Sequence, residues 1–67
     1  MLVLNQNKNK IINTDNMDSI FIEDSIIFAK RKNNEKHILG CYKSDIRATE
    51  ILVDFLKAKE SFSMPVD

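Results

Sequence analysis

Residues 19–32, SIFIEDSIIFAKRK, contain two runs of β-branched and aromatic residues separated by a polar Glu-Asp-Ser triplet. Runs of this length and composition, bounded by turn-forming residues, are typical of consecutive β-strands. The pattern therefore predicts one strand over 19–23 and a second over 25–32.

The second of these strands is apolar on both sides. Because side chains alternate between the two faces of a sheet, Ile26 and Phe28 point one way while Ile27 and Ala29 point the other. A sheet with no clean polar face needs cover on both faces. Either the strands curl toward a barrel with a helix across one opening, or the second face meets another subunit.

Two hairpins complete the predicted sheet. Near the N-terminus, short apolar runs flank an Asn-rich segment suited to a turn, which predicts strands over 2–6 and 10–14. Around Asn33-Asn34 a type I′ turn is expected, because Asn tolerates the positive φ that both central residues need. The resulting register sets Lys30 opposite His37.

The last third of the chain predicts a helix. Ser44 is a suitable N-cap for a helix from Asp45 to about Glu60. Five apolar residues share the side expected to pack on the sheet, namely Ala48, Ile51, Leu52, Phe55 and Leu56. The fold class is therefore α+β, an antiparallel meander of four to five strands followed by one C-terminal helix.

One domain is expected over residues 1–61. A chain of 67 residues has material for a single core. Residues 62–67 contain Pro65 and show no periodicity, so they are expected to form a tail unless Phe62 and Met64 dock on the domain.

Composition and charge narrow the function classes. Lys plus Arg and Asp plus Glu both number 10, so the net charge is zero and gives no overall attraction to nucleic acid or acidic membranes. Cys41 is the single cysteine, which excludes an internal disulfide and favours a reducing, cytoplasmic setting. No segment is long and apolar enough to predict a membrane contact.

No catalytic or metal-binding constellation is apparent. A Cys41–His37 pair would be about 13 Å apart on an extended strand, beyond hydrogen-bond reach, so Cys41 is expected to be a small core residue. The Asx-rich segment 13–18 lacks the central glycine and the bidentate Glu of a calcium loop. We therefore expect no enzyme activity, no cofactor and no metal.

Two surfaces remain as candidate sites. The apolar face of the helix is wider than one small sheet requires, and Ile46, Val53 and Phe62 are expected to belong to a partner or homodimer surface. The second is the basic hairpin, whose five residues could contact nucleic acid: Lys30, Arg31, Lys32, Lys36 and His37.

The segment from residue 20 to 56 resembles a pattern found in very small proteins of phages and prophages of low-GC Gram-positive bacteria. The matching parts are an aromatic-Ala step at Phe28-Ala29, LGCY at 39–42, the N-cap Ser44, Ala48, and Ile51-Leu52. The resemblance implies a mobile-element accessory protein and supplies no catalytic residues. Among the matched positions, Gly40 is expected to permit a close approach, and Tyr42 to anchor the strand-to-helix joint with its hydroxyl in water.

These observations favour a non-enzymatic protein that binds or inhibits a host or phage protein through a surface rather than a pocket. The partner's identity is not encoded in any motif, and a homodimer is a second expected arrangement. Nucleic-acid binding through the basic hairpin is the alternative.

Overall fold

A computed structural model describes all 67 residues as six strands in two three-stranded sheets with one α-helix. The strands are β1 (Leu2–Leu4), β2 (Ile11–Asn13), β3 (Ser19–Glu23), β4 (Ile26–Lys30), β5 (Lys36–Cys41) and β6 (Ser61–Ser63), the helix is α1 (Asp45–Lys57), and a 3₁₀ turn spans Thr14–Asn16. The sheets have the orders β2-β1-β6 and β3-β4-β5. The predicted α+β class is confirmed, while the sheets do not close into a barrel.

The β3–β4 connection is a two-residue turn. Asp24 and Ser25 have φ values of 53° and 64°, the left-handed pair that a type I′ turn requires. The carbonyl of Ser25 accepts a hydrogen bond from the Tyr42 amide at 3.0 Å, and its hydroxyl donates to Asp45 Oδ1 at 2.9 Å. The turn is thereby tied to the start of α1.

The β4–β5 hairpin differs from the predicted type I′ turn. The Asn34 amide donates to the Arg31 carbonyl at 2.9 Å and the Arg31 amide donates to the Glu35 carbonyl at 2.8 Å, which closes a three-residue loop. Within this loop, Asn34 is the only residue with a positive φ, which is 70°. The Asn33 side chain accepts from the Glu35 amide at 3.0 Å, so this Asn supplies a side-chain bond instead of a left-handed backbone.

A β-bulge in β5 changes the predicted strand register. Ile27 pairs with Gly40, but Lys30 pairs with the residue before His37 rather than with His37 itself. The extra residue is Leu39, which is 1% exposed. Its insertion into the core shifts every pairing between the bulge and the hairpin loop by one residue.

Helix α1 begins where the sequence predicts. The Ser44 hydroxyl accepts from the Arg47 amide at 3.1 Å, as an N-cap does. The helix ends at Lys57, three residues before the predicted Glu60, and the chain then extends into β6. At 13 residues, α1 leaves the structure without a helix that could cross a membrane.

The packing face of α1 is narrower than predicted. Ala48, Ile51 and Phe55 are buried and Leu52 is partly buried, but Leu56 is 80% exposed. Leu56 lies at the margin of this face, where it lines a shallow depression together with Ile20, Leu52 and Phe55.

Residues 62–64 do not form a tail, because Phe62 and Met64 dock on the domain, the exception that the sequence left open. Strand β6 pairs in parallel with β1, with Phe62 opposite Val3, and Met64 is fully buried. The Tyr42 hydroxyl donates to the Pro65 carbonyl at 2.8 Å instead of to water. These contacts form because the second edge of β1 is free to accept a strand.

One hydrophobic core joins both sheets and the helix. Its ten members are Val3, Ile12, Ile27, Ala29, Leu39, Tyr42, Ala48, Ile51, Phe55 and Met64. The core lies between α1 and the inner face of β3-β4-β5, with β1 and β6 closing one side.

Gln6 connects the two sheets. Its amide donates to the Leu39 carbonyl at 2.8 Å, its side-chain Oε1 accepts from the Cys41 amide at 2.8 Å, and its Nε2 donates to the Cys41 carbonyl at 2.9 Å. The carboxamide therefore replaces a strand neighbour along the outer edge of β5.

We expect Gln6→Glu to lower the free energy of unfolding by about 1–3 kcal/mol, because a carboxylate oxygen would face the Cys41 carbonyl where Nε2 now donates. Urea denaturation at neutral pH measures the loss. Asn7→Asp adds the same charge at the neighbouring exposed position and is the control. Equal stabilities for the two variants would contradict this role of Gln6.

Candidate interaction surfaces

The face of β3-β4-β5 that points away from α1 is here called the outer sheet face. Its residues form three rows across the strands: Ser19, Lys30 and Lys36; Phe21, Phe28 and Ile38; and Glu23, Ile26 and Cys41. The opposite face carries the buried Ile27 and Ala29 and packs beneath α1. No element of the chain covers the outer sheet face.

An aromatic pair occupies the middle row. The rings of Phe21 and Phe28 stack with centroids 5.4 Å apart and an interplanar angle of 22°. The Lys36 ammonium lies 5.2 Å from the Phe28 centroid and 5.8 Å from that of Phe21, within cation–π range. Ile38 ends the row and is 53% exposed.

Charge is distributed unevenly around this row. Lys30 and Lys36 lie toward the hairpin loop, where Arg31 and Lys32 are exposed. Glu23 lies at the opposite end of the face, although its carboxylate is 3.7 Å from the Lys36 ammonium. The outer sheet face is therefore apolar at its centre and basic at one end.

His37 does not join the predicted basic set. It pairs with Ala29, so its ring lies on the inner side of the sheet. Lys10 Nζ approaches His37 Nδ1 at 3.1 Å, and Glu35 Oε1 is 3.2 Å from Nε2 without the alignment of a hydrogen bond. The remaining four basic residues line or adjoin the outer sheet face.

The bulge also separates His37 from Cys41. Cys41 pairs with Ile26 on the outer sheet face and is exposed, so the prediction that it is a core residue is wrong. The two side chains lie on opposite faces of the sheet, because the bulge at Leu39 inserts one residue between them. No three His, Cys, Asp or Glu side chains come together in a group that could hold a metal ion.

The residues predicted for a helix surface do not form one patch. Ile46 and Val53 are 76% and 44% exposed on the solvent side of α1. Phe62 instead packs edge-to-face on Phe55, with centroids 5.6 Å apart at 75°. It lines a separate shallow depression together with Leu2, Leu4, Ile11, Ser61 and Ser63. Leu56 was not predicted for this surface. Like Ile46, it is a large apolar residue that is mostly exposed.

Gly40 and Tyr42 form a close contact at the strand-to-helix joint. A Cβ atom at Gly40 would lie 2.7 Å from both Cε2 and Oη of Tyr42, so only glycine fits beneath the ring. The predicted close approach is confirmed, with Tyr42 as the approaching group. Burial is the largest influence on the Tyr42 hydroxyl and raises its pKa, with Arg47 opposing and Asp67 adding to the increase.

We expect the phenol of Tyr42 to titrate above its ordinary pKa of 10.0 in the folded protein. Because the folded-state pKa is raised, this group stabilises the fold at lower pH, and the contribution is lost as pH rises through the folded pKa. The chain has one Tyr and no Trp, so ultraviolet absorbance reports this residue alone. A midpoint at or below that of the urea-unfolded chain would contradict the burial.

The sequence does not single out Phe21, Phe28 or Ile38 as site residues. A usable signal exists in the Asp24-Ser25 turn, because a two-residue turn there fixes Phe21 opposite Phe28. The bulge that brings Ile38 into the same row has no comparable signal. Comparison with protein-family models, with curated proteins and with solved structures gave no match.

Proposed function

We propose that the chain is a non-enzymatic interaction protein that binds another protein through the outer sheet face, an accessory role of the kind its phage-like sequence pattern implies. The observation that carries this proposal is the row of Phe21, Phe28 and Ile38, which is apolar, partly exposed and uncovered by the chain. Aromatic side chains at the centre of a face with a polar rim are typical of protein interfaces.

The charges on this face indicate the chemistry of the partner. Lys30 and the adjoining Arg31 and Lys32 lie at the hairpin end of the apolar row, whereas the Lys36 ammonium lies over the aromatic rings and 3.7 Å from Glu23 at the other end. A partner with an apolar centre and acidic residues opposite the hairpin end complements this arrangement.

Single-stranded nucleic acid is a second candidate, favoured by the two phenylalanines that share the outer sheet face with Lys30 and Lys36. Base stacking on aromatic residues beside basic ones is a common binding mode. It ranks second because Phe21 and Phe28 stack on each other, leaving each ring one free side at most, and Lys36 lies near both.

The test begins with capture from a nuclease-treated lysate of a low-GC Gram-positive host, comparing the wild type with Ile38→Asp. A protein retained only by the wild type is then purified and titrated. We expect Ile38→Asp to weaken its binding by at least about tenfold and Lys30→Glu to weaken it more at low salt than at high salt. Ile46→Asp, on the far side of α1, is the control and leaves the affinity unchanged.

A captured protein that binds wild type and Ile38→Asp equally would contradict the proposal. So would the absence of any protein that distinguishes them. Fluorescence anisotropy with an oligo-dT probe tests the second candidate. If three or four phosphates are neutralised, log K falls with log salt at a slope of about −2 to −3. If the oligo-dT probe binds the wild type in this way and does not bind Ile38→Asp, the ligand of the outer sheet face is nucleic acid and not a protein.

A further inference from the structure

Helix α1 carries an exposed stripe of three apolar residues and one threonine, which runs from the solvent side of the helix to the margin of its packing face. Its members are Ile46, Thr49, Val53 and Leu56, spaced three, four and three residues apart. Ile46 and Leu56 are the most exposed large hydrophobic residues of the chain, at 76% and 80%. The spacing is that of the seam along which two helices pack in a coiled coil.

The charged residues beside this helix stripe are asymmetric. Glu50 and Lys57 lie along one flank, seven residues apart and both exposed, and the Glu50 carboxylate is 3.5 Å from the Arg47 guanidinium of the same helix. The other flank carries Asp45 at its start and then the partly buried Leu52. Flanking charges of this kind determine which helix packs on the seam and in which direction.

We infer that the helix stripe binds a second copy of this chain, with the two α1 helices antiparallel. In that orientation each flank faces the same flank of the partner, so Glu50 of one copy lies near Lys57 of the other, twice by symmetry. Ile46 packs against Leu56 of the second copy, and Thr49 packs against its Val53. The apolar residues and both flanking charges are then matched.

A parallel pair lacks this match. Parallel helices bring opposite flanks together, so Asp45 of one copy would approach Glu50 of the other. Two such like-charge contacts by symmetry disfavour the arrangement. The charges therefore select the antiparallel dimer, which leaves the outer sheet face of each copy free.

Sedimentation equilibrium of the full chain from micromolar to millimolar concentration tests the inference. We expect a monomer–dimer equilibrium whose dissociation constant rises at least about tenfold in Val53→Asp. Glu50→Lys weakens the dimer, and the double exchange Glu50→Lys with Lys57→Glu restores it toward the wild-type value. Ile38→Asp leaves the equilibrium unchanged, and circular dichroism verifies that each variant is folded.

A chain that stays monomeric at millimolar concentration would overturn the inference. A dimer that survives Val53→Asp would also overturn the inference. A dimer that is lost in Ile38→Asp would overturn it too, because the second copy would then lie on the outer sheet face. A tighter dimer in Glu50→Lys would contradict the antiparallel arrangement. It would indicate parallel helices, because the new lysine of one copy would then face Asp45 of the other.

Discussion

Deletion of residues 62–67 is expected to unfold the domain. Met64 is fully buried, Phe62 packs on Phe55, and the Pro65 carbonyl holds the Tyr42 hydroxyl. Loss of the Met64 side chain alone costs about 2–5 kcal/mol. A domain of this size has a total stability of about 3–10 kcal/mol, so losing all of these contacts removes most or all of it.

Far-ultraviolet circular dichroism during heating measures the result, and two point variants separate burial from chain length. We expect Met64→Ala to melt at a much lower temperature, whereas Val66→Ala, at a position that is 70% exposed, changes stability by less than about 0.5 kcal/mol. A truncated chain that melts as the full-length protein does would show that β6 is a dispensable tail.

Gly40→Val is expected to lower the free energy of unfolding by about 1–3 kcal/mol or more. The new Cβ would lie 2.7 Å from Cε2 and Oη of Tyr42. Tyr42 cannot move aside cheaply, because its ring belongs to the core and its hydroxyl donates to Pro65 at 2.8 Å. Urea denaturation measures the loss.

A double-mutant cycle with Tyr42→Leu identifies the contact responsible. With the phenol ring removed, the valine has room, so the cost of Gly40→Val in that background should be smaller than in the wild type. An unchanged melting temperature for Gly40→Val would contradict the close contact. An equal cost in both backgrounds would assign the effect to the strand backbone instead.

Local chemistry made several elements predictable from the sequence. Ser44 followed by an amphipathic run fixed the start of α1, and the Glu-Asp-Ser triplet marked the β3–β4 turn. These signals act over a few residues and need no tertiary partner. The α+β class follows from them directly.

Elements that depend on distant partners were not predictable in the same way. Strand β6 is a single phenylalanine between two serines and becomes a strand only because the free edge of β1, almost 60 residues earlier, accepts it. The β5 bulge likewise exists because Leu39 fills the core beneath α1. Periodicity within a short segment carries neither piece of information.

The candidate site was predictable only in part. The sequence indicated that the β4 strand has two apolar faces, so that the sheet either curls toward a barrel or meets another subunit, and the open face observed carries Lys30 and Lys36. Phe21 and Ile38 join Phe28 there through a turn and a bulge, and the bulge has no signal in the local sequence. The predicted grouping of Phe62 with Ile46 and Val53 fails because β6 carries Phe62 to β1.

The central claim is that the domain's own core does not require the outer sheet face, which leaves this face free for the proposed partner. Thermal denaturation of Ile38→Asp beside Leu39→Asp tests it directly, because these adjacent residues are 53% and 1% exposed. We predict that Ile38→Asp melts within a few degrees of the wild type while Leu39→Asp does not fold. Unfolding of a monomeric Ile38→Asp would show that the domain itself requires this face, and would contradict the account.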